Sequence, residues 1–555
     1  MIKELVTLIG RIGSRLYGER SEFEVFRPEE KFGDFSTNIA LKLSGKLGRN
    51  PKEIAKDIAD KLVEQGDFAS VDIAGPGFIN ITLKDRTLLE ALSGAHRPEK
   101  TLAGKSIVVE YSDPNPFKVL HAGHLYTSVV GDGISNLLEA AGGKVHRVNY
   151  GGDVGLHVAK TAWALLEYLG GEKPEELDNV KPAERADWLA GCYVKGTIAY
   201  DEDEKAKAEI AVLNKKIYEI AINRDKSSLL GKIYWRTRAW SYDYFDKFYA
   251  RIGIAFEKYY PESTVAELGR KTVEKNTPEI YSKSDGAIVY EGEKDDLHTR
   301  VFITREGLPT YEAKEVGLLF KKHKDYDFDR SIVITANEQS QYMQVVLASV
   351  SGFAPSLVEK TTHLTHGMVK LPGAKKMSSR KGNILKAVEI LELAEESSKR
   401  LNPSTTEGVI IGAIKYSFLK SGLGGDIIFD AKESVNIEGN SGPYLQYALV
   451  RARSIINKAG NGEQSSADGL DSSERSLARK ISIYPEVFTV ALEELSPHHL
   501  CTYLYELAQT FNRFYEANRI IGDERFPVRI KLVQDYAHVL ESGLKTLGID
   551  IPEKM

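Results

Sequence analysis

The 555-residue sequence predicts an α/β chain in which a doubly wound parallel sheet lies between an N-terminal α+β domain and a C-terminal α-helical bundle. Three observations carry this reading. The length exceeds what one hydrophobic core organises and suggests roughly three or four units. From about residue 101 the order is strand, loop, long helix, strand, the pattern of a parallel sheet. Beyond residue 386 strand signals fade and helical stripes take over. The domains are therefore drawn at 1–100, 101–386 and 387–555.

In the first segment, Leu5, Leu8, Ile9, Ile12 and Leu16 recur at helical spacing, and a second helix follows Asn50-Pro51, where proline suits the first turn. Ala74-Gly75-Pro76-Gly77 reads as a turn into the alternating strand Phe78-Ile79-Asn80-Ile81, followed by a Lys/Arg-containing linker. In the second segment, Ser106 to Tyr111 is β-rich, residues 124–141 carry a helical stripe (Leu125, Val129, Ile134, Leu137, Leu138), and Val145 to Val148 returns to extended chain. Nucleotides bind at the carboxyl ends of strands in such sheets. In the third, Leu500, Leu504, Leu507, Phe511 and Phe514 form one apolar stripe, and the polar run Gly460 to Gly469 reads as a spacer between helices.

Composition excludes several classes. Hydrophobic residues at 42% and charged residues at 28% describe a globular chain, not a disordered one. No apolar run reaches the roughly 18 residues a membrane span needs, and Lys3, Glu4, Arg11 and Arg15 interrupt the amino terminus, so a cytoplasmic protein without membrane contact is expected. Cys192 and Cys501 lack partners at ligand spacing and read as buried apolar residues. The net charge of −5 gives no global footprint of nucleic-acid binding, so any such contact must come from local basic patches. The acidic runs Glu172 to Asp178 and Asp201 to Glu204 read as solvated faces.

Two clusters carry chemistry. The loop Asp113-Pro114-Asn115-Pro116-Phe117-Lys118 leaves the first strand of the sheet and delivers His121-Ala122-Gly123-His124 to a helix start, where free N–H groups and the helix dipole favour phosphate. Gly123 lets a flat base approach the backbone. Alone, the string fits a metal pair or two surface histidines equally well. Far downstream, Gly373 to Asn383 gathers Lys375, Lys376, Arg380 and Lys381 with Met377, Ser378 and Ser379, the composition of a loop that closes over a polyphosphate or of an exposed basic run. Gly104-Lys105-Ser106 mimics the end of a phosphate-binding Walker loop, but Glu99 stands where that loop needs glycine.

Taken together, His-Ala-Gly-His and Lys-Met-Ser-Ser-Arg resemble the two signatures of class I aminoacyl-tRNA synthetases, and the chain is similar over nearly its whole length to the arginyl-tRNA synthetases. The resemblance implies a Rossmann-like catalytic domain that activates L-arginine with ATP and Mg²⁺ and transfers it to the 3′ end of tRNA(Arg). It implies ATP contacts at His121, Gly123, His124, Lys376, Met377, Ser378 and Arg380, with Lys118 as a further phosphate cation. Asn115, Glu262, Tyr311, Glu315 and Gln339 match the family's arginine-pocket positions, where carboxylates accept from a guanidinium fork and a tyrosine forms a flat wall. Tyr444, Tyr447 and Arg451 follow Gly442-Pro443 in the terminal domain and are assigned to tRNA by stacking and phosphate contact, with core packing as the alternative for the tyrosines. Gly33 to Asn38 and Gly75 to Asn80 resemble the family's domain for the tRNA elbow, and a monomer is expected.

The match departs in places. Ser379 stands where the general signature has lysine, Tyr126 where arginine is common, and Lys314-Glu315 where Arg-Asp is usual. Specificity needs no editing module, because buried carboxylates left unpaired by a wrong side chain give discrimination on the order of 10⁴–10⁵. The aromatic and Arg-rich stretch Trp235 to Phe256 is read as helical core, with acceptor-stem contact second. Competing readings are a cysteinyl enzyme, which needs clustered zinc ligands the sequence lacks, a nucleotidyltransferase, usually shorter and without a helical terminal domain, and a non-catalytic tRNA-binding paralogue.

Overall fold

The computed structural model describes residues 1–373, 385–460 and 469–555. Its centre is a five-stranded, all-parallel sheet: β1 (Ser106–Glu110), β2 (Lys144–Gly151), β3 (Lys258–Pro261), β4 (Arg330–Ala336) and β5 (Thr361–His366), in the order β5-β4-β1-β2-β3. The Val- and Ile-rich strands are buried on both faces, as parallel strands covered by helices must be. Strand order reverses between β1 and β4, so the loops leaving their carboxyl ends diverge and open a crevice there.

Helix α1 (Ala122–Ala140) follows β1, and its expected stripe Leu125, Val129, Ile134, Leu137 and Leu138 is buried. Between β2 and β3 the chain inserts a helical layer with a core of its own, closed by α2 (Leu229–Arg251). This helix contains most of the stretch Trp235 to Phe256, and Trp240, Phe245, Phe248 and Tyr249 are buried in it, the helical-core reading. A three-stranded antiparallel sheet precedes α3 (Tyr311–Tyr326), which leads into β4.

The N-terminal unit packs helices Ile2–Tyr17, Ile39–Leu47 and Pro51–Val63 against a four-stranded antiparallel sheet. Asn50 caps the third helix by accepting from the Lys52 N–H at 2.9 Å, with Pro51 at its first position. The expected strand is Phe78–Leu83, and it pairs in a hairpin with Phe68–Ala74, a strand the sequence reading left undrawn. This unit docks onto the C-terminal bundle. Buried Asp34 accepts from Arg475 at 2.6 Å and from the Leu83 N–H at 2.8 Å, and Arg27 meets Glu486 at 2.9 Å.

The terminal bundle begins with α4 (Gly442–Ala459), and its stripe Leu500, Leu504, Leu507, Phe511 and Phe514 is buried, with the Phe511 and Tyr536 rings stacked at 3.9 Å. Cys192 and Cys501 are both free and buried. The spacer expected at Gly460 to Gly469 lies mostly outside the described residues.

Candidate active site

The loop between β1 and α1 is held in a strained shape. Ser112, Asp113 and Phe117 all adopt positive φ (74°, 50° and 70°), costly for side chains with a Cβ and maintained only by surrounding contacts. Those contacts are present. Ser112 Oγ lies 2.6 Å from the Tyr249 hydroxyl, the Phe117 N–H donates to Ser241 Oγ at 2.9 Å, and Asp113 accepts from the Tyr150 N–H at 2.7 Å. Helix α2 is thus the scaffold of this loop.

Spacing of three residues would put the two imidazoles on one helical face, but the structure arranges them differently. His121 is the N-cap of α1, and the two rings stack at 3.7 Å. Each Nδ1 accepts the other residue's backbone N–H: His124 N–H to His121 at 3.3 Å, and His121 N–H to His124 at 3.2 Å. The Ala122 N–H is also taken, by the Leu385 carbonyl at 2.9 Å. The helix start therefore offers fewer free N–H groups than expected, and the donor role passes to the imidazoles. A neutral ring whose Nδ1 accepts must carry its proton on Nε2. Burial, with the Lys118 charge adding to it, pushes His121 down to about 4. Burial, then His121 and Lys118, hold His124 well below its usual value. Both rings are neutral Nε2–H donors at neutral pH. A Cβ on residue 123 would meet the His121 ring at 3.0 Å, so glycine is what lets the ring fold back.

Lys376, Met377, Ser378 and Arg380, with the irregular Ser379, lie outside the described residues. The segment that follows them does not. His121 and Lys386 form an antiparallel bridge, the Ala122 N–H donates to the Leu385 carbonyl, and the Ala387 N–H donates to the Leu120 carbonyl, both at 2.9 Å. Residues 385–387, which come after the second signature in sequence, are thereby fixed against the first signature.

The remaining expected residues come together at the carboxyl ends of the strands. Asn115 follows β1, and its Oδ1 accepts from the Gly152 N–H at 2.8 Å. Glu262 follows β3 and is buried against Lys314 of α3 at 2.5 Å. Burial raises Glu262 and Lys314 draws it back; burial would lower Lys314, and Glu262 more than reverses that. Tyr311 opens α3 with its ring half exposed and Lys314 Nζ 4.8 Å from the ring centre. Glu315, one turn on, is buried, and burial with the like charge of Glu110 raises it to about 8 against the pull of Lys322. Glu110 and Lys322 form a fully buried ion pair beside it. Gln339 ends the turn after β4, exposed at the rim. Lys118 extends over the Tyr193 ring at 4.2 Å.

For Tyr444 the core-packing alternative holds. Tyr444 is buried, its hydroxyl accepts from Asn512 at 2.9 Å, and its ring meets Tyr505 edge-on, so it has no free face for a base. Tyr447 is exposed, and Arg451 stacks over the Tyr515 ring at 4.2 Å. All three sit on α4 in the terminal bundle, not in the crevice. Tyr126, at the position where arginine is common, is fully buried against His366 and Phe418 and supplies no cation. The reading also passed over Gly151-Gly152-Asp153 and His157, which follow β2 in the same crevice. A glycine pair and an acid at the end of a predicted strand was the available signal.

A doubly wound sheet with two capped imidazoles at its switch point and residues 385–387 bridged beside them has a class I aminoacyl-tRNA synthetase architecture. Three family profiles tile the chain: "Arginyl tRNA synthetase N terminal domain" over residues 3–83, "tRNA synthetases class I (R), catalytic domain" over 87–430, and "DALR anticodon binding domain" over 445–555. The chain belongs to the arginyl-tRNA synthetase family. It is 32% identical to the arginine–tRNA ligase of Actinobacillus succinogenes, covering 95% of this chain and 94% of that one. With the arginine–tRNA ligase of Bacteroides fragilis strain YCH46 the identity is 27%, over 100% and 99% of the two chains. The fold matches Thermus thermophilus arginyl-tRNA synthetase with a TM-score of 0.81 at 24% identity over the full length of both chains. No helix among the described residues is long and apolar enough to cross a membrane.

Proposed function

We propose that the chain is an arginine–tRNA ligase whose reaction runs in the crevice at the β1/β4 switch point. Arginine is activated by ATP to arginyl-adenylate with loss of pyrophosphate, and is then transferred to the 3′ end of tRNA(Arg). The observation that carries the reading is that the carboxyl ends of the strands hold both the two neutral imidazoles that open α1 and two buried acidic residues, Glu262 and Glu315. Activation is in-line attack of the arginine carboxylate on the α-phosphate, so no nucleophilic side chain is needed and catalysis is positioning and charge stabilisation. His121 and His124 donate from Nε2 to the triphosphate, Gly123 lies by the base, and Lys118 adds the charge that Ser379 does not supply. Lys376, with Met377, Ser378 and Arg380, neutralises the departing phosphates.

Mg²⁺ arrives on ATP, held by phosphate oxygens and water in its usual manner, and neutralises the triphosphate. Asn115 and Gln339 hold the amino and carboxyl ends of arginine, Tyr311 is its wall, and Glu262 and Glu315 take its charge. Residues 1–100 grip the tRNA elbow, 101–386 catalyse, and 387–555 contact the stem and anticodon through Tyr447 and Arg451. On the family resemblance, we assign the work to a cytoplasmic monomer whose activation step requires tRNA.

The test is pyrophosphate exchange across all twenty amino acids with tRNA present. Arginine is expected to dominate; exchange without that preference overturns the substrate assignment.

A further inference from the structure

Three elements meet around one peptide in the crevice. The Gly152 N–H donates to Asn115 Oδ1 at 2.8 Å, and the Gly152 carbonyl accepts from His157 Nε2 at 2.7 Å. That bond fixes the tautomer: with its proton on Nε2, His157 has a bare Nδ1, which faces the Tyr311 hydroxyl at 3.5 Å. The crowding is close. A Cβ on Gly152 would lie 2.5 Å from Asn115 Oδ1, 3.1 Å from His157 Cε1 and 3.2 Å from Glu262 Oε1. His157 is buried, and burial, with the nearby Lys118 charge, pushes it down to about 3, so it stays a neutral ring across the working pH range.

The polarity of this chain of bonds has a chemical consequence. A Tyr311 hydroxyl that gives its proton to His157 keeps its lone pairs for the crevice. A guanidinium has donors and no acceptor, so it is matched by such an oxygen; a ureido group, which replaces one donor edge with a carbonyl, is not. We propose that His157 is a positioning and specificity-determining residue for arginine, orienting the Tyr311 hydroxyl as an acceptor and, through the Gly152 peptide, holding the Asn115 amide, without touching substrate. This rests on the arginine-ligase reading above.

The test uses the full-length enzyme, with KM for arginine and for ATP read separately in tRNA-dependent pyrophosphate exchange. His157→Leu fills the space but removes both bonds. It is expected to raise the arginine KM about tenfold or more while the ATP KM stays within roughly twofold. His157→Gln, whose amide offers a donor and an acceptor, is expected to recover most of the loss. In a Tyr311→Phe background, adding His157→Leu is expected to raise the arginine KM by a clearly smaller factor than in the wild type, because the Tyr311 bond is already gone and only the bond to the Gly152 carbonyl remains to be lost. Fully multiplicative effects, an equal rise in the ATP KM, or no recovery by glutamine would each overturn the proposal.

Independently of variant folding, ¹⁵N-histidine spectra of the wild type are expected to show a His157 protonated on Nε2 whose Nδ1 resonance moves on adding arginine. An Nδ1-protonated ring, or an unmoved resonance, would overturn it too. A wild-type enzyme with no arginine preference sinks the functional reading, whereas normal arginine exchange with any of the adverse results above sinks the role of His157 alone.

Discussion

The two histidines of the first signature form a reciprocal cap: each ring spends its Nδ1 on the other's backbone and is left with one donor. His124→Ala removes that donor and the cap together, and turnover is expected to fall by a factor on the order of 10² or more, measured by single-turnover adenylate formation. Undiminished turnover would take His124 out of the chemistry. Glu315 makes a pH prediction of known sign. Without ligand, burial and Glu110 hold it at about 8, so below that pH it carries a proton that a guanidinium must displace. Arginine binding then releases a proton, and the arginine KM is expected to fall as pH rises from about 6 to 8, by up to roughly tenfold per unit. Glu315→Gln is expected to flatten that slope. These residues were legible in sequence because motif spacing survives folding; what was not legible was that His121 precedes the helix, that the N–H groups at the helix start are largely occupied, and that Lys314 already pairs with Glu262. Such facts are set by backbone geometry and neighbours distant in sequence.

At the scale of elements, the pairing of Leu120–Ala122 with Leu385–Ala387 clasps the start of α1 to the chain that follows the second signature in sequence. Both donors, Ala122 and Ala387, occupy the first position of a helix, where proline's fixed φ is tolerated and its missing N–H costs the helix nothing. His121 and Lys386, the residues before them, already have the extended backbone that a following proline requires. Ala387→Pro is therefore expected to delete one clasp bond while both helices persist. Pyrophosphate exchange should drop roughly tenfold or more, with a stability loss of only about 1 kcal/mol by urea titration. Equal activity in that variant would mean the clasp does not set the second signature's position. The sequence disclosed strands, helices and their order through periodicity, but not this contact, because a single bridge outside the sheet leaves no periodic trace. Tyr444 was left between two readings for a related reason: a tyrosine on an amphipathic helix reads alike whether its ring meets a base or Tyr505.

Over the whole molecule, the N-terminal unit and the terminal bundle are joined by Asp34 with Arg475, and by Arg27 with Glu486. Asp34→Ala leaves the largely buried Arg479 without its carboxylate and Arg475 with Asp85 alone, and is expected to cost about 2–3 kcal/mol, less than a fully buried pair because Arg475 retains Asp85 and some solvent. Chemical denaturation should show the N-terminal unit melting ahead of the rest; a single unchanged transition would argue that the docking is energetically neutral. The joint also bears on how the chain is made. Asp34 and Arg475 are separated by 441 residues. At roughly 5–20 residues per second, the ribosome delivers the arginine about twenty seconds to a minute and a half after the aspartate. Throughout that interval Asp34 has the Leu83 N–H as a donor but no arginine, and a late-made helix of the terminal bundle fastens the first unit of the chain.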